Sequence, residues 1–280
     1  MRRKSLKAEV AGICSQFNLW EEDSFYFLKN IFKNFLSEKK ENFTVDIKPK
    51  LTERETGLKL EKFNWDLLDK IRIEKFNTKF HIFSPEPLDY NLGFIDIRKN
   101  QCQFNSQPKI LHRYLLLPFL RLCFQLFLFK SGGFFLHASA ASQQKTGYLF
   151  VGPTGSGKST VINRLSKDFK VLADELVALR KYNGYYCIYS TPWTEKRKKI
   201  SRLEKIFLLR KAQYLQFKKI KPIQAAFEIY SNILYCVSDY SLTNKLLNTL
   251  INLSHKIPCY TMYFALESPL SQRIKELSEN

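Results

Sequence analysis

The chain has 280 residues, 45 % of them apolar, with 24 Phe and 14 Tyr, which excludes global disorder and suffices for one large domain or two smaller ones. Its 45 Lys and Arg against 26 Asp and Glu leave a formal charge of +19; this favours anionic partners (nucleotides, phosphorylated substrates, acidic peptides, nucleic acid or a membrane surface), although a general coding bias explains such a surplus equally well. The six cysteines, Cys14, Cys102, Cys123, Cys187, Cys236 and Cys259, show no C-x-x-C spacing and so exclude the commonest metal and redox motifs.

The basic segment Met1–Trp20 has neither an apolar stretch nor a small-residue cleavage site and does not read as a signal peptide. Aromatic and β-branched runs then predict strands at Ser24–Leu28, Phe43–Ile47, Ile71–Lys75, Lys79–Phe83 and Gly93–Arg98. Asn30–Leu36 has a helical alternative, and Pro85 and Pro87 mark a loop. Residues 1–108 thus read as a β-rich N-terminal part without a chemical motif. Leu111–Phe129 predicts a helix. Its most apolar run, Tyr114–Phe129, contains Pro118, Arg121 and Gln125 and is shorter than the roughly 20 residues that cross a bilayer, so a buried helix is expected. Cys14, Cys123 and Cys236 lie among apolar residues, and buried free thiols fit a reducing cytoplasm.

After Gly132-Gly133 come two predicted strands, Phe134–Ala138 and Gly147–Val151, and the second runs into Gly152-Pro153-Thr154-Gly155-Ser156-Gly157-Lys158-Ser159-Thr160. This is the full G-x-x-x-x-G-K-[ST] pattern of a P-loop. Its glycines let successive backbone N–H groups turn inward around a phosphate, and the following helix aims its N-terminal dipole at the same anion. Lys158 would reach the β- and γ-phosphates and the Ser159 hydroxyl would ligate Mg²⁺. A chance match in a chain of this length is roughly a one-per-cent event. Val161–Asp168 predicts the helix, with Val161, Ile162 and Leu165 on one face.

Val171–Ala173 predicts a strand ending at Asp174-Glu175, where a carboxylate could hold Mg²⁺ or meet an acceptor hydroxyl; a solvated strand end is the plain alternative. Asp174 lies 16 residues after Lys158. That short spacing suits small kinases better than ATPases and transporters, whose acidic strand comes later. The guanine-reading N-K-x-D pattern is missing, since Asn244-Lys245 continues as Leu246-Leu247, and no L-S-G-G-Q sequence occurs.

Leu176–Arg180 and Tyr185–Tyr189 flank Asn183-Gly184, a hairpin signal. Glu195–Lys221 carries 11 Lys or Arg and two Glu, densest at Lys196–Lys199. It reads either as a lid over phosphates or a dock for an acidic substrate, or as a solvated loop with a half-exposed strand at Lys205–Leu209. Phe207, Tyr214 and Phe217 are its only interleaved aromatics, and no nucleic-acid module is apparent. Helical spacing recurs at Ile223, Ala226, Phe227, Tyr230 and Leu234 and again at Leu242, Leu246, Leu250 and Leu253; Tyr260–Leu266 predicts a late strand.

Leu136-His137-Ala138-Ser139, Gly152–Thr160 and Leu172-Ala173-Asp174-Glu175 together resemble the catalytic domain of HPr kinase/phosphorylase, over roughly Gly133–Leu179. Thr191-Pro192-Trp193 and the later layout look like the short HPr-kinase-related proteins found near peptide-modification genes, although a rigid turn with a core Trp explains that tripeptide as well. The resemblance implies an α/β fold: a P-loop kinase core related to HPr kinase and phosphoenolpyruvate carboxykinase, here at residues 109–280. It also implies that His137 lies near the phosphate site, that Asp174 is the general base toward a substrate hydroxyl, and that Glu175 stands near the metal. A hydrogen-bonded structural His is the alternative for His137. Glu175 replaces an Asp of the family pattern, and the loop that binds the HPr protein has no evident counterpart.

The resulting expectation is a cytoplasmic, ATP- and Mg²⁺-dependent kinase. Its catalytic residues would be Asp174, Lys158 and His137, the nucleotide would sit on Gly152–Thr160, and the metal on Ser159, Asp174 and Glu175. The acceptor would be a Ser hydroxyl of a peptide or protein rather than a small molecule, and a homo-oligomer is compatible with the sequence. A small-molecule kinase of shikimate-kinase type and a nucleotide-sensing module without catalysis are the competing readings.

Overall fold

A computed structural model describes residues 3–49, 71–84, 91–105, 109–234, 239–265 and 267–279. The expected loop at Pro85 and Pro87, and Cys236, lie outside them. Among the described residues the fold is mixed α/β, with two sheets and six helices. The chain divides into two compact units, Met1–Phe127 with Val237–Asp239, and Leu128–Cys236 with Tyr240–Asn280.

The first unit is a seven-stranded sheet in the order β1-β2-β3-β7-β6-β5-β4. β1 (Lys4–Val10) and β2 (Ile13–Leu19) form an antiparallel hairpin that the sequence reading missed. Its turn, Ala11-Gly12, takes φ of 51° and 77°, a conformation more often signalled by Asn-Gly. β2 pairs in parallel with β3 (Phe43–Ile47) through α1 (Glu22–Ile31), as parallel neighbours require a crossover.

The expected strand at Ser24–Leu28 is therefore wrong: those residues are the heart of α1. Burial there recurs at Ser24 and Leu28, a helical i,i+4 interval, and acidic Glu22 and Asp23 occupy the first turn. Asn30–Leu36 is not a helix either; α1 ends at Ile31 and a turn comes next. β4 (Arg72–Phe76), β5 (Lys79–Phe83), β6 (Asn91–Asp96) and β7 (Gln101–Phe104) form a meander. α2 (Lys109–Lys130) buries Phe124 and Phe127 on this unit, with the Phe43 and Phe127 rings stacked at 4.1 Å. No helix among the described residues is long and apolar enough to cross a membrane.

The second unit is built on an eight-stranded sheet. β8 (Gly133–Gln143) is its longest antiparallel strand. On one edge β8 pairs with β11 (Leu176–Tyr182) and then β10 (Lys170–Ala173); on the other it pairs with β9 (Thr146–Val151). The β11–β12 hairpin turns at Asn183-Gly184 as expected, with φ of 48° and 85°, before β12 (Tyr185–Tyr189). β12 pairs with β13 (Ile200–Lys211), which runs parallel to β9 and to β15 (Cys259–Phe264), so the pairings β8–β9–β13–β12–β11–β8 close a ring. Gly147 suits this closure, because a Cβ there would lie 2.8 Å from Ile188 Cδ1.

Much of the basic stretch is thus regular strand, β13 and β14 (Gln216–Lys219), rather than a lid; exposed loop positions lie around Lys196–Lys198 and at Gln213 and Tyr214. α4 (Pro222–Tyr230) and α5 (Tyr240–Lys256) are the two expected helices. α3 (Lys158–Leu165) begins three residues earlier than the expected Val161, because the motif's own Lys158 opens it, and ends before Asp168. It covers a core of Tyr148, Phe150, Val161, Ile162, Leu165, Phe207, Met262 and Phe264, to which α6 (Leu270–Glu279) adds Leu270 and Ile274.

Candidate phosphate and acceptor site

β9, β13 and β15 run parallel and end on one edge of the sheet, where ligands of open α/β sheets gather. Gly152–Gly157 occupies that edge, between the end of β9 and the start of α3. Each glycine has its own reason for lacking a side chain. A Cβ on Gly152 would stand 2.6 Å from Ser156 Oγ, and one on Gly157, at φ 96°, would stand 2.7 Å from Phe264 Cζ. Gly155 has φ 79° with nothing near it, so conformation alone selects glycine there.

Several groups in this loop lack partners that an anion could supply. Gly157 is the N-cap of α3, and no side chain caps the helix, which leaves its first N–H groups and the positive end of its dipole open. Ser156 Oγ is buried without a hydrogen-bond partner. Lys158 is buried and its ammonium donates to the carbonyls of Gly152 at 2.7 Å and Pro153 at 3.0 Å, folding the loop back on itself. Burial pushes the Lys158 pKa down, and the nearby carboxylates Asp174 and Glu175 oppose that shift. Ser159 is exposed at the helix start, and Thr160 is half-buried behind it. Pro153 and Thr154 form the exposed tip.

Asp174 and Glu175 sit where β10 gives way to β11. The register against β8 slips between Val171 and Ala173, a bulge that re-aims the side chains beyond it. Glu175 then adopts φ 71°, and Leu176 N–H donates to Asp174 O at 3.0 Å, closing a three-residue turn. A non-glycine residue in this region is uncommon and strained. Asp174 Oδ1 accepts hydrogen bonds from Ser139 Oγ and, at 3.1 Å, from Glu175 N–H.

His137 and Ser139 lie two residues apart on β8 and therefore share a face. The His137 ring is half-buried and bonded to the Glu175 backbone; burial, followed by the charge of Lys158, holds its pKa below the usual range, against the pull of Glu175 and Asp174. His137, Lys158, Asp174 and Glu175 are thus close enough to feel one another's charge, while Ser159 begins α3 beside Lys158.

A cleft of about 890 Å³ adjoins the loop, lined by His137, Pro153–Ser156, Arg210, Lys211, Glu228 and Ser231–Leu234 among others. Its floor is fixed by the chain after α4: His137 N–H donates to Asn232 O at 2.8 Å, Leu234 N–H donates to Phe135 O at 3.3 Å, and Leu136 bridges Ile233. Thr191 and Pro192 are buried, Thr191 Oγ1 donates to Leu176 O at 3.3 Å, and the Trp193 ring meets Phe135 edge-on at 5.5 Å. This is the structural alternative for that tripeptide.

The sequence singles out Ser139 only as part of the Leu136–Ser139 motif and Arg210 only as one charge of the basic stretch, and it does not single out Glu228. Ser139 has the period-two spacing to His137 but gains a role only from Asp174, and Arg210 gains its own only from Glu228 and the cleft. Glu228 carried no signal.

No family model matches the chain, and no curated protein matches it. Among solved structures it is similar to the Hpr(Ser) kinase/phosphatase from Coxiella burnetii, at a TM-score of 0.34 and 11 % identity over 52 % of this chain and 88 % of that one.

Proposed function

We propose that this protein is an ATP-dependent kinase that transfers the γ-phosphoryl group to a hydroxyl, with a Ser of a peptide or protein as acceptor. The observation that carries the reading is the conjunction at one sheet edge of an uncapped α3 behind a Gly-rich loop with a buried Lys158 and a carboxylate, Asp174, whose Oδ1 is held by two donors. Gly152–Thr160 then wraps the phosphates, and the open N–H groups of α3, Ser156 Oγ and Lys158 satisfy their charge. Lys158 exchanges its bonds to the loop carbonyls for bonds to phosphate oxygens, which are stronger because both partners are charged.

Asp174 keeps Oδ2 for the acceptor hydroxyl and takes its proton as the oxygen attacks in line. His137, held neutral, donates or accepts a hydrogen bond beside the transferring group. Mg²⁺, when bound, would neutralise charge on the phosphates; Ser159 and Glu175 are the residues that would hold it, with Asp174, its Oδ1 engaged and its Oδ2 kept for the acceptor, reaching it through a water. Among the described residues no three His, Cys, Asp or Glu side chains converge on an ion, so most of its oxygens would come from phosphate and water, the usual habit of Mg²⁺.

The test is incubation with γ-labelled ATP and a panel of Ser-containing peptides and small alcohols. Transfer that disappears in Asp174→Asn supports the reading. Label that never leaves ATP rejects it and favours a nucleotide-sensing module; label that moves equally well with Asp174→Asn rejects Asp174 as the base.

A further inference from the structure

The cleft beside the loop contains a charged pair that phosphate binding does not use. β13 ends in Leu209, Arg210 and Lys211, which all line the cleft; Leu209 is also part of the core under α3, and Arg210 brings the strand's end its guanidinium. Its guanidinium is held in place: Nη2 donates to Glu228 Oε1 at 2.7 Å and Nη1 to Leu209 O at 3.0 Å. Glu228 is itself fixed near the end of α4, where its backbone carbonyl accepts from Asn232 Nδ2 at 2.9 Å. A guanidinium has five N–H donors, and the bonds to Glu228 and Leu209 use two of them. Lys211, the last residue of the strand, is exposed on the same rim. Arg210 and Lys211 against Glu228 leave the wall with one net positive charge.

His137 identifies which ligand faces that wall. It lines the cleft, it shares a face of β8 with Ser139, and Ser139 Oγ donates to Asp174 Oδ1, so the cleft opens beside the carboxylate assigned to the acceptor's proton. We infer that Arg210 and Lys211 form an acceptor subsite for an anionic group, a carboxylate or a phosphate, carried by the same molecule as the hydroxyl. This rests on the kinase reading for the place of the acceptor. Arg210 supplies paired N–H donors and Lys211 a mobile charge, and Glu228 holds the guanidinium still, so little side-chain freedom is lost on binding. The cleft volume is within the range of sites that enclose a small ligand or one or two residues of a peptide.

The experiment uses the full chain saturated with Mg²⁺ and a non-hydrolysable ATP analogue. Three ligands that share a hydroxyl are titrated by calorimetry: glycerate (carboxylate), glycerol 3-phosphate (phosphate) and glycerol (neutral). The expected result is millimolar or tighter binding of at least one anion and at least tenfold weaker binding of glycerol. Arg210→Ala should weaken the bound anion by about tenfold or more. Arg210→Lys, which keeps the charge and loses the fork, should weaken it less, and Lys211→Ala should add to either variant. The preferred anion tells carboxylate from phosphate. Binding of glycerol as tight as that of both anions, failure of both anions to bind, or anion binding indifferent to all three substitutions overturns the subsite. Failure of the analogue itself to bind overturns the kinase reading instead. A thermal transition shared by wild type and Arg210→Lys rules out misfolding as the cause of a weaker anion.

Discussion

Ser139 Oγ on β8 donates a hydrogen bond to Asp174 Oδ1 at the turn between β10 and β11. Glu175 N–H donates to the same oxygen, and Oδ2 takes no hydrogen bond among the described residues. Two donors thus fix one carboxylate oxygen and present the other. If Asp174 receives the acceptor's proton, Ser139→Ala should lower kcat by about ten- to a hundredfold and leave KM for ATP nearly unchanged, since the Ser139 hydroxyl bonds to Asp174 and not to the loop. Steady-state kinetics with ATP and acceptor varied in turn check this; an unchanged kcat removes Ser139 from the catalytic arrangement.

Gly157 joins two constraints, φ of 96° and a Phe264 ring that its Cβ would meet at 2.7 Å. Gly157→Ala should cost about 1–3 kcal/mol of stability and also abolish nucleotide binding by distorting the loop. Gly155→Ala shares the backbone strain but meets no neighbour, and should be the milder variant. Thermal unfolding of both proteins orders them; equal midpoints would show that the Phe264 contact relaxes freely.

Glu175 holds φ of 71° with a side chain that this conformation penalises. Replacement by Gly removes about 1 kcal/mol of backbone strain against a partly offsetting gain in unfolded-chain entropy. Glu175→Gly should therefore unfold no lower than wild type and higher than Glu175→Ala. If Glu175 holds Mg²⁺, both variants should also need more Mg²⁺ for half-maximal activity. A Glu175→Gly protein melting below Glu175→Ala contradicts the strain assigned to the turn.

Burial pushes the Cys259 thiol up to about 12 and raises those of Cys14, Cys123 and Cys187 as well. For Cys259 the folded chain holds the proton that the unfolded chain releases near 9. Its stabilising share is full below about pH 9 and falls as pH rises towards 12. In a Cys236→Ser background, a thiol-specific disulfide reagent at pH 8 should find no reactive cysteine until denaturant is added. Prompt reaction of the native protein would refute the burial of at least one of these thiols.

Local rules that need no partner were legible in the sequence. The Gly-Lys-Ser run placed the loop between β9 and α3, Asn183-Gly184 placed its hairpin, and the apolar run of Leu111–Phe129 placed α2. Ser24–Leu28 misled because aromatics at consecutive positions mimic alternation; only the sheet beneath α1 decides that Ser24 and Leu28 are the buried pair. Val10-Ala11-Gly12-Ile13 hid a hairpin because Ala is a poor signal for positive φ. In the site, His137, Lys158 and Asp174 stood out by type and spacing. Ser139 and Glu228 did not, since a Ser on a strand and a Glu on a helix acquire meaning only from Asp174 and Arg210, 35 and 18 residues away along the chain.

The most direct test of the central claim, that Gly152–Thr160 holds a nucleoside triphosphate opposite Asp174, is calorimetric binding of Mg-ATP to three proteins. Wild type should bind saturably and more tightly with Mg²⁺ than without it. Lys158→Ala should bind at least about tenfold more weakly, as expected for loss of a charge-assisted contact. Asp174→Asn should retain most of the affinity while losing phosphoryl transfer. A wild-type chain that does not bind ATP, or a Lys158→Ala variant that binds it undiminished, would contradict the account at its base.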